Sequence, residues 1–113
     1  MTKIYWRGEI SSMHRLNLPY NSKCNQPHGH NYLIEIWVEA HPNKNGMVLD
    51  FNKIKKVVNK YDHTNLNLYF KQPTAENIAN KIHDELPIKD AKVTVRVWED
   101  RDSYAEVESL RSL

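Results

Sequence analysis

One cysteine, Cys24, stands alone in 113 residues. No disulfide can close within the chain, so a reducing compartment, the cytoplasm, is the expected setting. No apolar run approaches the roughly 18 residues that cross a bilayer, so no membrane is expected as a partner. The stretch from Met1 to Arg7 lacks the uninterrupted apolar segment of a secretory leader. An excess of one charge is missing too: 16 Lys+Arg against 14 Asp+Glu leave +2, far from the basic surplus of a nucleic-acid binder. The densest basic cluster, Lys53 to Lys56, reads as a solvated helix face. Repeats and low-complexity tracts are absent, and the length fits one domain over residues 1–113 with a modest core.

What is present is periodic. Ile4, Trp6 and Ile10 alternate as on a strand. A polar loop with two prolines occupies 17–27, and from His30 the alternation of Tyr32, Ile34, Ile36 and Val38 predicts a second strand. Its other face carries Leu33 and Trp37, so the far side of the sheet is expected to be covered as well. Asn45-Gly46 suits a turn with positive φ, and Met47 to Leu49 is expected to continue as a short strand. Asp50 is the expected cap of a helix burying Phe51, Ile54, Val57, Val58 and Tyr61. Thr74 caps a second helix, with Ala75, Ile78, Ala79, Ile82 and Leu86 inward and Pro87 as its stop. Lys92 to Glu99 alternates strictly, and Tyr104 to Val107 is its expected partner. The order ββααββ predicts an α+β domain: a four-stranded antiparallel sheet with two helices on one face. Its free edges favour oligomerisation.

The chemistry concentrates in four places. His28-Gly29-His30 enters the second strand, where alternate residues share a face, and Gly29 spares bulk between the two imidazoles. His14 ends the first strand, and a hairpin brings it opposite 28–30 as the best third ligand. Three neutral imidazoles with one position open form a recurrent catalytic zinc arrangement; polar strand filler is the plain alternative. Cys24 has three readings: a fourth ligand, a small buried side chain, or a thiolate acidified beside a metal. The adjacent pair Asp62-His63 is compatible with a carboxylate-oriented imidazole, given irregular backbone, or with a solvated histidine at a helix end. Glu99, at a strand end, suits either a donor-rich ring edge or solvent. His41 and His83 are expected to have no functional role, His83 lying outside the apolar stripe of its helix.

Six segments together resemble the 6-pyruvoyltetrahydropterin synthase family in order and spacing. They are Met13-His14-Arg15-Leu16, Cys24-x3-His28-Gly29-His30-Asn31-Tyr32, Gly46 to Phe51, Asp62 to Asn67, Pro73 to Ala79, and Val97-Trp98-Glu99. The short cysteine-to-histidine spacing resembles the 6-carboxytetrahydropterin synthase branch. The resemblance implies a T-fold (tunnelling fold), an oligomeric barrel of trimers stacked into a homohexamer, with active sites at subunit interfaces. It implies zinc on His14, His28 and His30, a catalytic set of Cys24, Asp62 and His63, and pterin binding by Glu99 with Thr74 and Ala75. Asp50-Phe51 matches a segment lining the family's pocket. The implied reaction is that of a zinc lyase: 7,8-dihydroneopterin triphosphate loses triphosphate and acetaldehyde to leave a 6-carboxytetrahydropterin, on the way to 7-deazaguanines such as queuosine. The alternatives are 6-pyruvoyltetrahydropterin synthesis, an aldolase-like activity, and a non-catalytic pterin- or purine-binding homologue.

Overall fold

The computed structural model describes residues 1–111. Strands β1 (Thr2–His14) and β2 (His28–Ala40) form a long hairpin, helices α1 (Phe51–Asn59) and α2 (Ala75–Glu85) follow, and β3 (Ala91–Asp100) and β4 (Ser103–Arg111) complete the chain. All neighbours are antiparallel in the order β1-β2-β3-β4, giving the α+β ββααββ arrangement expected above.

Alternation decides the core. Ile10, Tyr32, Ile34, Ile36, Val38, Val93, Val95 and Val97 are all wholly buried on the face that the helices cover. Helix α2 lays down its whole expected stripe, Ala75, Ile78, Ala79, Ile82 and Leu86. Each fully buried aliphatic side chain of this kind contributes about 1.5–3 kcal/mol of transfer free energy. The caps also form as expected. Asp50 accepts the Asn52 N–H at 2.8 Å and Thr74 Oγ1 accepts the Asn77 N–H at 3.1 Å.

Four local expectations are corrected. Met47 to Leu49 is not a strand: the Asn43 side-chain oxygen takes the N–H groups of both Asn45 and Met47, curling the segment onto itself. Val48 and Leu49 still reach the core, through packing alone. Gly46 has φ 82°, the positive value its turn requires. Helix α1 stops at Asn59, so Tyr61 is buried from the turn beyond it, while Phe51 stays half exposed. His83, placed outside the apolar stripe, is nonetheless buried. Ser109 on β4 meets its Nε2 at 2.7 Å, and Arg111 bonds its carbonyl at 2.9 Å, so α2 and β4 close over it.

The opposite sheet face carries a polar-aromatic layer. The Arg96 guanidinium lies 4.4 Å from the Tyr104 ring centre and 4.9 Å from that of Trp37, and Trp98 Nε1 donates to Glu35 at 2.6 Å. Strands β1 and β4 are the edges. At its C-terminal end β1 gains a second neighbour, because the chain leaving α1 runs beside it. Met13 N–H donates to the Thr64 carbonyl at 3.0 Å, and His63 N–H to the Ser11 carbonyl at 2.8 Å.

Candidate active site

The hairpin register sets His14 opposite His28 and Ser12 opposite His30. All three histidines share the helix-covered face with Tyr32 and Ile10, at the end of the core where β1 stops and β2 begins. Their ligand nitrogens lie within 4.8 Å of one another. Gly29 does not do what was expected of it, since a Cβ there would meet the Ser12 carbonyl oxygen at an ordinary 3.8 Å.

Hydrogen bonding settles which nitrogens are free. His14 Nδ1 lies 2.7 Å from the Pro73 carbonyl oxygen, and His28 Nδ1 lies 2.7 Å from that of Gln26. A carbonyl oxygen only accepts, so both Nδ1 atoms carry hydrogen and both neutral rings present bare Nε2 lone pairs. Those two Nε2 atoms stand 2.8 Å apart. Bare lone pairs at that distance repel unless a proton or a metal cation is shared between them. His30 Nε2 is buried and has no hydrogen-bond partner among the described residues. Burial also holds the pKa of His14 and of His30 below the ordinary histidine range, with Glu99 partly opposing it at His30, so the rings favour the uncharged form that ligates metal. Ligand atoms of a zinc tetrahedron stand about 3.3 Å apart, and three imidazole nitrogens gathered within 4.8 Å are a donor set suited to that ion. Cys24 does not join the group. Its 3-10 turn, Lys23–Asn25, is pinned by the Leu16 N–H on its carbonyl at 2.7 Å, and its thiol is free and part-buried.

Glu99 comes to the same end of the sheet from β3. A register shift between Trp98 and Asp100 bends the strand there, and the Glu99 Oε1 lies 3.5 Å from His30 Nε2. Glu99 also lines a cleft of about 240 Å³ with Ala75, Glu76 and Asp100, so Ala75 is beside it and Thr74 is the cap just before. The cleft walls hold three carboxylates and no basic side chain, which favours a ligand edge rich in N–H donors.

The Asp62-His63 pair has the irregular backbone it was expected to need, with His63 at φ 51°. Asp62 Oδ1 is held by the Ser11 N–H at 2.8 Å, and its Oδ2 lies 3.5 Å from His63 Nε2, an ion-pair distance rather than a hydrogen bond. The His63 side chain is 83% exposed on the single chain. Sequence reasoning missed the groups that orient the ligands. Tyr32 was within reach, standing two residues after His30 on the same face. The Pro73 carbonyl was not, since 59 residues separate it from His14.

A part-buried three-imidazole cluster that could hold a metal ion, beside a carboxylate cleft on a four-stranded antiparallel sheet backed by two helices, defines a class of small α+β protein. The profile of the 6-pyruvoyl tetrahydropterin synthase family matches residues 3–109, and the chain belongs to that family. It is a tetrahydropterin synthase-like enzyme. A protein of Archaeoglobus fulgidus is 42% identical over 80% of this chain and 84% of its own length. The 6-carboxy-5,6,7,8-tetrahydropterin synthase of Rickettsia felis is 34% identical over 76% of this chain and 80% of its own. The dihydroneopterin monophosphate aldolase of Pyrococcus furiosus is 32% identical over 94% and 96%. Among solved structures, 6-pyruvoyl tetrahydropterin synthase of Caenorhabditis elegans superposes with a TM-score of 0.72 over 96% of this chain and 95% of its own, at 23% identity, which speaks to the T-fold alone. Among the described residues, no helix is long and apolar enough to cross a membrane.

Proposed function

We propose that the chain is a zinc-dependent lyase converting 7,8-dihydroneopterin triphosphate and water to 6-carboxy-5,6,7,8-tetrahydropterin, with release of acetaldehyde and triphosphate. One observation carries this reading: the converging bare nitrogens of His14, His28 and His30 beside the Glu99 cleft. Those three side chains would hold zinc, which supplies Lewis acidity toward the oxygens of the substrate's side chain. Glu99 accepts N–H bonds from the pterin ring and fixes its orientation, with Thr74 and Ala75 forming the adjacent wall. Cys24, as thiolate, takes a proton from the substrate side chain, and His63, charge-stabilised by Asp62, handles a second. The Cys24-x3-His28 spacing supports the carboxytetrahydropterin branch and, with it, a role in making 7-deazaguanines such as queuosine. A lone cysteine accords with a cytoplasmic enzyme.

Oligomerisation belongs to the same reading. The free edges of β1 and β4, the half-exposed Phe51 and Met47, and the exposed His63 all favour a barrel of several copies, a homohexamer with sites shared between subunits. Asp62 and His63 of one copy would then serve the metal group of another.

Incubating the purified zinc-loaded protein with 7,8-dihydroneopterin triphosphate tests the activity. Acetaldehyde together with a 6-carboxypterin mass is the expected result, and a 6-pyruvoyl product would overturn it. The near end-to-end match to the Pyrococcus furiosus aldolase favours a second reading, aldol cleavage of a pterin monophosphate. Turnover of 7,8-dihydroneopterin monophosphate but not of the triphosphate would establish that one instead.

Glu99→Ala is expected to raise the KM for the pterin at least about 30-fold, because two hydrogen bonds to a charged acceptor are lost, together worth about 2 kcal/mol or more. Zinc content stays at about one per chain, as three-histidine ligation requires. An unchanged KM would remove Glu99 from the pterin site.

A further inference from the structure

We propose that Tyr32 is a positioning residue for the three-imidazole group, holding His14 and His30 in the orientation that makes their free nitrogens converge. The proposal rests on the metal-site reading above. Tyr32 follows His30 by two residues along β2, so its side chain stands on the same sheet face, one step further into the core. It is wholly buried. Its ring packs edge-on against two of the three imidazoles at once, 5.9 Å from the His14 ring centre at 81° and 5.4 Å from that of His30 at 61°.

The hydroxyl adds a directional contact. It lies 3.0 Å from His14 Nδ1, the atom that also faces the Pro73 carbonyl oxygen at 2.7 Å. The carbonyl only accepts, so Nδ1 carries the proton and the tyrosine oxygen takes a second share of it. Rotating the His14 ring therefore breaks two contacts together. His28 has its own anchor in the Gln26 carbonyl, whereas His30 Nε2 has no hydrogen-bond partner among the described residues, so ring packing restrains that imidazole, with Tyr32 the one packed ring that is not itself a ligand. A wholly buried hydroxyl does not reach substrate, so Tyr32 acts through the ligands. Groups that orient ligating histidines in this way typically change metal affinity by 10–100-fold when removed.

Two variants separate the hydroxyl from the ring. Tyr32→Phe keeps the ring and is expected to bind zinc about tenfold more weakly, read by competition of the metal-free protein with a chromophoric chelator. Tyr32→Leu removes both contacts and is expected to lose about 100-fold. The cobalt(II)-substituted variants should show a shifted visible absorption spectrum, reporting altered ligand geometry. The urea midpoint of metal-free Tyr32→Phe should match the wild type. A tyrosine that merely fills the core would leave the zinc affinity and the cobalt spectrum of Tyr32→Phe unchanged, which would overturn the proposal. If Tyr32→Leu does not fold, Tyr32→Phe decides by itself. Zinc binding by Tyr32→Phe within about twofold of the wild type sinks this proposal and spares the metal site. A wild type that binds no zinc sinks both.

Discussion

His28→Ala is expected to leave a folded protein that no longer retains zinc and no longer turns over substrate. Binding free energies of about 10–16 kcal/mol are typical of zinc held by several protein ligands, so removing one of three costs about 4 kcal/mol, or roughly a thousandfold in affinity. His28 is the best of the three for this test. It sits part-exposed at the start of β2, outside the apolar cluster, and its Nδ1 partner is the Gln26 carbonyl in a surface loop. Truncating it opens the metal group while leaving the core packed. His14→Ala would confound the measurement, because His14 is almost wholly buried and anchors the segment before α2 through Pro73. Metal content after gel filtration, with the far-ultraviolet spectrum as the folding control, reads the result. A His28→Ala protein that keeps a full equivalent of zinc would show that the ion is held elsewhere.

The parts of the fold legible in the sequence are those where one local rule acts without competition. Strand alternation around Ile34 and Val95, the stripe of α2 and the caps at Asp50 and Thr74 depend on near neighbours, and they formed as read. Met47 to Leu49 failed because the Asn43 side chain captured backbone donors that a strand would have spent on a neighbour. The burial of His83 was not legible for another reason: a polar residue outside the apolar stripe is covered by a strand 26 residues later that supplies its hydrogen-bond partner. In the site, the spacing of His28 and His30 and the hairpin that returns His14 were local enough to read. The Pro73 anchor of His14 was not, because that carbonyl depends on how α2 docks. The same distinction explains the Asp62-His63 pair. Adjacency was visible, but the positive φ at His63 and the grip of the β1 backbone on Asp62 come from a loop adding itself to a strand edge.

Cys24→Ala is expected to do the opposite of His28→Ala: zinc stays at about one per chain with affinity within about twofold of the wild type, while kcat falls by roughly a thousandfold. The thiol stands outside the imidazole group, and the three histidines already bring three nitrogens together without it. Truncating a group that is not a ligand leaves the donor count unchanged, so affinity has no reason to drop. The rate does, since a positioned proton-transfer group contributes about 10²–10⁴-fold. Folding is not at stake, because Cys24 is part-buried in a short 3-10 turn whose backbone contacts, to Leu16 and Ser22, survive the change. Comparison with His63→Ala sharpens the test. If the two residues act on successive protons of one reaction, the double variant loses little beyond the worse single one, as residues working as a unit do. Strictly additive losses would mean that the two contribute independently to one rate-limiting transition state. Loss of zinc from Cys24→Ala would instead make the thiol a fourth ligand, close the metal's open position, and turn the site from catalytic to structural.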